Sequence, residues 1–148
     1  MSDVFDRARE GDDRVRRCLA AIGYPAEEIP AVLASSRLTV DGLEFRIRSG
    51  ASGVRFEYSL GAADDAKLVR FGAYAAGRLA REDAVLAFDP SANEAFIWQG
   101  VPRIDDDGAI RRVFEEFAVS AEWWHDRLAP EAAPGAGGAE RPELVIRP

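Results

Sequence analysis

The side chains that most often carry out catalysis are scarce in this chain. It contains one histidine, His125, and one cysteine, Cys18. A histidine base needs a nucleophile or an orienting carboxylate within reach, and the neighbouring Asp126 points elsewhere on a helix. A lone cysteine on the apolar side of a helix is typical of a small core residue, and it cannot form an internal disulfide. We therefore predict no enzymatic activity and no cofactor.

Two further patterns resemble ligand sites but lack essential residues. The acidic run 105–107 precedes Gly108, yet Arg103 stands where a calcium loop begins and Phe114 where its closing glutamate belongs. This run is better interpreted as the cap of a helix. The glycines at 50–53 lack the spacing of a nucleophile elbow, and those at 135–138 lack a phosphate-binding lysine. The sequence predicts no metal site.

Composition limits the class of protein. The chain has 148 residues, 47% of them hydrophobic, and a net charge of −7. The acidic balance argues against nucleic acid, whose binding needs clustered Lys and Arg. No apolar run approaches the ~20 residues that span a membrane, and the charged N-terminus has no signal core, so we expect a cytoplasmic protein. We expect one α+β domain over 1–128 and a flexible Pro/Gly/Ala-rich tail over 129–148.

The rest of the chain is organised around the stretch 83–128. Two apolar runs, 84–88 and 95–101, flank the turn-forming residues 89–93 and predict a β-hairpin. Alternation places Phe96 and Trp98 on one face of the hairpin and Ile97 on the other. A strand that is apolar on both faces must be covered on both. One cover can be a helix of this chain, and the other must be another element or another molecule.

The remaining patterns predict the elements around this hairpin. Helical periodicity covers 2–22, strands alternate over 37–60 around the turn at Asp41-Gly42, and 25–36 is either a short helical turn or an irregular connection. A helix opened by Asp64 and Asp65 carries Gly72 near its centre, which indicates close approach of the sheet or of a second helix. The last helix carries a stripe that includes Trp124, while Trp123 either covers the sheet edge or marks a contact surface. The predicted fold is α-βββ-α-ββ-α, an antiparallel sheet packed against helices.

Four segments together resemble a known family. They are LTVDGLEFRIR and GVRFEYSLG in the first strands, LAREDAVLAFDPSANEAFIWQGVP in the hairpin, and FEEFAVSAEWWHDRL in the last helix. Over residues 4–128 the chain resembles the class I (Tir chaperone-like) chaperones of bacterial type III secretion. The resemblance implies a cytoplasmic homodimer without ATPase activity, which binds the N-terminal segment of a secreted effector in extended form and keeps it soluble for secretion and virulence.

The resemblance also assigns residues to two surfaces. The dimer interface would involve Leu68, Val69, Gly72, Ala76, Phe96 and Trp98. The effector-binding surface would neighbour Val15, Leu19, Leu38, Val40, Phe45, Val54 and Phe56, several of which must also serve the core.

Two other functions remain compatible with the residues. One is a non-enzymatic dimeric regulatory domain that sequesters a folded protein partner. The other is a small enzyme or ligand-binding protein that uses the sheet as the floor of an apolar pocket with convergent polar groups. A chaperone is distinguished from both by its protection of an unfolded segment.

Overall fold

A computed structural model describes residues 2–78 and 81–132, without the side chains of Ser2 and 129–132. The helices are α1 (Ser2–Ala21), α2 (Ile29–Ser35), α3 (Asp65–Ala76) and α4 (Asp107–Ala132), and a 3-10 turn (Ala26–Glu28) precedes α2. The strands are β1 (Arg37–Val40), β2 (Leu43–Gly50), β3 (Gly53–Ala62), β4 (Val85–Asp89) and β5 (Glu94–Gly100). The predicted α+β fold and its order are confirmed. Helix α4 continues four residues beyond Leu128, and the predicted tail from 133 onward lies outside the described residues.

The five strands form one antiparallel sheet in the order β1-β2-β3-β5-β4. The predicted β1–β2 turn is confirmed, because Asp41 and Gly42 both adopt positive φ angles, of 51° and 83°. In the β4–β5 turn, Asn93 has a φ of 51°, and Asp89 Oδ1 accepts hydrogen bonds from the Ser91 N–H and Oγ–H at 3.0 and 2.7 Å. These turns fix the register and therefore decide which residues share a face.

Helices cover one face of this sheet. Aromatic rings of β2, β3 and α4 meet there, with the Phe56 and Phe114 centroids 4.9 Å apart and those of Phe45 and Phe114 5.3 Å apart. Helix α1 contributes Val15, Cys18 and Leu19 to the same buried cluster. The opposite face, which carries Arg46, Glu57 and Trp98 by register, has no helix packed on it among the described residues.

Local side-chain chemistry sets the ends of the helices. Asp64 Oδ1 accepts the Lys67 N–H at 2.8 Å and starts α3, and Asp106 Oδ1 accepts the Ala109 N–H at 3.0 Å and starts α4. The acidic run 105–107 therefore contains the helix cap that the sequence predicted. The segment 25–36 takes the helical alternative, since α2 buries Val32 in the core and is followed by Ser36 as its C-cap, with a φ of 64°.

The buried thiol of Cys18 gives a direct test of the α1 packing. Burial raises the pKa of this thiol to about 12, with Arg17 opposing the rise. The folded state therefore holds the proton more tightly than the unfolded chain. This contribution to stability is complete below about pH 9 and is lost as the pH rises toward 12. We expect iodoacetamide to leave native Cys18 unlabelled at pH 8 and to label it in urea.

A matched control uses the exposed neighbour on the same helix. The double variant Cys18→Ala, Ala20→Cys should label rapidly in the native state, because Ala20 is exposed. Rapid labelling of native wild-type Cys18 would contradict the described packing of α1.

Candidate functional site

A stripe of small apolar residues lies exposed along α3. Val69, Gly72, Ala73 and Ala76 recur at three- and four-residue spacing and all face solvent, with Val69 75% exposed. We call these four residues the α3 stripe. A Cβ built on Gly72 meets no atom of the described residues within 4 Å, so the sheet beneath does not require a glycine there. Because a mid-helix glycine costs about 1 kcal/mol relative to alanine, the described residues give no reason for its place in this stripe.

A small cavity of about 270 Å³ adjoins the α3 stripe. Its walls include Gly72 and Ala76 of α3 and Val85 of β4, and Trp124 of α4 also lines it. Strand β4 is an edge of the sheet, so one side of its backbone lacks a neighbouring strand within the described residues. The stripe, the cavity and this edge form one continuous, largely apolar surface.

The residues predicted for the dimer interface divide between two places. Val69, Gly72 and Ala76 lie on the α3 stripe, whereas Leu68 is half-buried against the core. Phe96 and Trp98 lie on the helix-free face of the sheet and are half-buried. Gly72 and Ala76 are close enough to Val85 to line one cavity with it, but Phe96 and Trp98 are not part of that cavity.

Three arginines on the helix-free face surround Glu57, whose side chain is only 2% exposed. Arg48 Nε donates to Glu57 Oε1 at 2.9 Å, and Arg55 donates to Oε2 through Nε at 2.8 Å. Arg46 Nε lies 3.0 Å from Oε1, but it is not aligned for a hydrogen bond, so this contact is an ion pair. We call Arg46, Arg48, Arg55 and Glu57 the arginine cluster.

The arginine cluster also covers the two aromatic rings of β5. The Arg46 guanidinium lies 5.6 Å from the Phe96 centroid, and that of Arg55 lies 5.2 Å from the Trp98 ring. Arg46 also donates through Nη1 to both oxygens of Glu94 at 2.9 Å. The second apolar face of the hairpin is therefore partly covered by neighbouring strands of the same subunit.

A groove of about 1010 Å³ runs between α1, α2 and the β2–β3 turn. Val15, Val32 and Ile47 form apolar parts of its wall, and two buried polar atoms beside them, Arg14 Nε and Ser49 Oγ, have no hydrogen-bond partner within the described chain. Burying a polar atom without a partner costs about 1–3 kcal/mol. The groove thus combines apolar wall segments and unsatisfied hydrogen-bonding groups with charged lining residues, which are Arg7, Glu10, Asp12, Arg14 and Arg48.

The apolar wall of this groove continues along the first turns of α1. Val4, Ala8, Gly11 and Val15 share one side of the helix, and residues 3–10 are all exposed. Gly11 has a local explanation, since its Cβ would stand 3.3 Å from Ser49 Oγ where α1 crosses β2. The exposed part of α1 is therefore a helix extension with an uncovered apolar side that leads into the groove.

The residues predicted to neighbour an effector-binding surface lie mainly in the core. Six are buried, namely Val15, Leu19, Leu38, Phe45, Val54 and Phe56, and Val40 is half-buried. Only Val15 lines the groove. The other side chains support the fold beneath it, so a partner at this surface would contact their neighbours instead.

The remaining candidates from the sequence have structural surroundings. Trp123 is half-buried between two guanidiniums, with Arg78 4.0 Å and Arg127 4.5 Å from its ring, and it packs on Tyr74 where α3 meets α4. His125 is exposed, and its Nδ1 lies 3.1 Å from the Tyr58 hydroxyl. Burial, together with the charge of Asp126, raises the pKa of Tyr58.

Two kinds of feature are absent from the described residues of the chain. None of its helices is both long enough and apolar enough to cross a membrane. None of its described His, Cys, Asp and Glu side chains cluster in a group of three suited to a metal ion.

Comparison with known proteins does not place this chain in a family. No protein-family model matches it, and no curated protein matches it either.

Sequence reasoning missed the arginine cluster. Alternation along 37–60 places Arg46, Arg48, Arg55 and Glu57 on the face opposite the apolar residues, where charged side chains are usually solvated. Their clustering depends on register, which pairs Arg46 with Glu57 and Arg48 with Arg55 across β2 and β3. The pattern that could have revealed the cluster is one glutamate, Glu57, which comes within reach of three arginines once residues 50–53 are taken as the β2–β3 turn.

Removal of the buried carboxylate tests the arginine cluster. Glu57→Ala leaves three guanidiniums without their shared counter-charge, and it should lower the free energy of unfolding by about 2–3 kcal/mol, measured by urea denaturation. This loss is smaller than the ~3–5 kcal/mol typical of a fully buried ion pair, because the side chains of Arg48 and Arg55 remain 51% and 41% exposed. Glu44→Ala, on the same face but exposed and 3.9 Å from Arg37, should cost well under about 1 kcal/mol. Equal losses for the two variants would contradict the buried cluster.

Proposed function

We propose that this protein is a homodimeric, cytoplasmic chaperone of type III secretion that holds a segment of a secreted effector in extended form. The observation that carries the proposal is the α3 stripe, where Gly72 faces open space beside an apolar cavity and the free edge of β4. The close approach of a second helix explains a glycine that no contact among the described residues requires. Twofold pairing through this surface is the simplest arrangement, since one patch then meets its own copy.

The groove beside α1 supports the client-binding half of the proposal. An extended peptide has an N–H and a C=O at nearly every residue, and these groups match the unpaired Arg14 Nε and Ser49 Oγ. The apolar walls at Val15, Val32 and Ile47 suit alternate side chains of such a peptide. The uncovered side of α1 extends this surface beyond the groove.

The two proposed surfaces do not compete for the same residues. The α3 stripe adjoins the β4 edge of the sheet, whereas the groove lies where α1 and α2 meet β2. In the strand order, β3 and β5 stand between β2 and β4. Each subunit of a dimer would therefore keep its groove accessible.

Val69→Glu tests the proposed dimer. It places a like charge on the α3 stripe of both copies, and we expect the dimer to dissociate at micromolar concentration, with the monomer mass measured by multi-angle light scattering. Val119→Glu is the matched control, because Val119 is a 64% exposed helical valine beside the exposed acids Glu115 and Glu122. A monomeric wild-type chain, or a Val69→Glu dimer of unchanged mass, would refute the proposed interface.

Ala8→Arg tests client binding separately. Ala8 is exposed and lines the groove, so a bulky side chain there should obstruct a bound segment without disturbing the core. We expect a co-purified secreted client to lose its protection from limited proteolysis in Ala8→Arg and to retain it in Ala20→Arg, an exposed alanine on another side of α1. Equal protection with both variants would exclude the groove as the binding site.

A further inference from the structure

The arginine cluster lies beside the groove and has features of a recognition site. Arg48 belongs to both, since it lines the groove and also donates to Glu57. A segment that leaves the groove along this side meets Arg48 first and Arg55 directly across the β2–β3 ladder. The cluster is therefore continuous with the proposed client-binding surface.

Glu57 holds the guanidiniums in place from beneath. Among the described residues, Arg48 donates only through Nε, to Glu57, which leaves its two Nη groups for a partner. Arg55 donates to Glu57 through Nε, with Nη2 2.7 Å from the same carboxylate. Because these contacts already restrict the arginine rotamers, a ligand that binds them loses less conformational entropy.

The charge that this cluster presents to solvent is positive. Arg48 and Arg55 keep 51% and 41% of their side chains exposed, while the compensating Glu57 is almost fully buried. Arg46, the third guanidinium, is shared between Glu57 and Glu94. The whole chain carries a net charge of −7, so this positive site attracts an acidic partner only at short range.

An apolar surface lies directly beside the positive one. Trp98 pairs with Glu57 across β3 and β5 and stacks with Arg55, and the exposed Val85 pairs with Trp98 from the next strand. A partner that suits both surfaces carries carboxylates next to apolar side chains. A second copy of this chain suits it less well, because it would bring its own arginines to the same place.

We propose that the arginine cluster and Trp98 bind an acidic segment of the client, in which aspartate or glutamate and apolar residues take turns at every second position and so share one face of the extended chain. This deepens the proposed function and rests on it for the identity of the partner as a client. Arg48 and Arg55 bind the carboxylates, and Trp98 contacts the apolar side chains between them. Glu57 acts as a positioning residue and does not touch the client.

The test uses the full chain and a short synthetic peptide in which glutamate and leucine take turns at every second position, with serine between them, so that both share one face of the extended chain. The peptide is labelled with fluorescein and followed by anisotropy at moderate salt. We expect saturable binding that weakens about fivefold to tenfold in Arg48→Gln, corresponding to the loss of one charge-assisted contact. Arg16→Gln is the matched control, since Arg16 is similarly exposed and also pairs with an aspartate, Asp13, but lies on α1. A peptide with lysine in place of glutamate should bind neither the wild-type protein nor the two variants.

Three further results decide the proposal. Charge reversal in Arg48→Glu should abolish binding of the glutamate peptide while circular dichroism and the urea midpoint show an intact fold. Equal affinities for Arg48→Gln and Arg16→Gln would overturn the proposal, and so would displacement of the peptide by duplex DNA at the same charge concentration, which would indicate a general polyanion site. If these assays fail while the dimer and the groove-dependent protection persist, only the acidic-segment inference falls. If the dimer and the protection fail while peptide binding persists, the proposed function falls instead.

Discussion

Coverage of the sheet on one face only is the constraint on which the rest of this structure depends. Helices α1 and α4 bury the side of the sheet that carries Phe45 and Phe56, and no described helix lies on the other side. An antiparallel sheet tolerates one solvated face when that face is polar. Strands β2 and β3 satisfy this condition with arginine and glutamate, but β5 presents Phe96 and Trp98. The chain must therefore keep two aromatic rings on an open face.

The arginine cluster partly covers these two rings within the subunit. Arg46 and Arg55 extend across the strands and lay their guanidiniums over Phe96 and Trp98, and Glu57 neutralises part of their charge from beneath. The two apolar faces of the hairpin therefore give weaker support to a dimer. The second face needs a cover from another element or another molecule, and the neighbouring strands of the same subunit supply part of that cover. The proposed dimer therefore depends on the α3 stripe more than on Phe96 and Trp98.

The sequence predicted the elements well because their signals are local. Asp41-Gly42 and the residues around Asn93 specify turns by their own backbone preferences, and the spacing of Ile110, Phe114, Phe117 and Trp124 specifies the buried side of α4. The sequence does not distinguish a helix from an irregular connection at 25–36, because a helix of one to two turns that contains Pro30 gives a weak periodic signal. In the structure this segment is helical and buries Val32 in the core. That burial depends on contacts with residues distant in the chain, which a short stretch of sequence does not reveal.

The sites were harder to predict than the fold for a physical reason. Alternation along a strand shows which residues share a face of the sheet, but it does not show which face a helix will cover. Leu38, Phe45, Val54 and Phe56 were assigned beside a binding surface, and α1 and α4 bury them. Glu57 illustrates the converse. Its charge suggests solvent exposure, but it is buried among three arginines, of which Arg46 and Arg48 lie on β2 and Arg55 lies on its own strand. Both outcomes depend on register and on packing between distant segments.

The separation of the α3 stripe from the groove has an energetic consequence for a dimer. Neighbouring strands lie about 4.8 Å apart, so β2 and β4, three positions apart in the sheet, are separated by roughly 14 Å. Pairing through α3 would leave one groove and one arginine cluster on each subunit, away from the contact. A client segment long enough to reach both would bind the second subunit as an intramolecular step, at an effective concentration set by the linker between its two binding stretches. Modest affinity in each groove would then suffice for stable retention, and release would follow whenever one stretch is pulled away. A monomer with the same groove would lose this advantage, so the exposed glycine on α3 would be linked to the strength of client binding in a groove toward the opposite edge of the sheet.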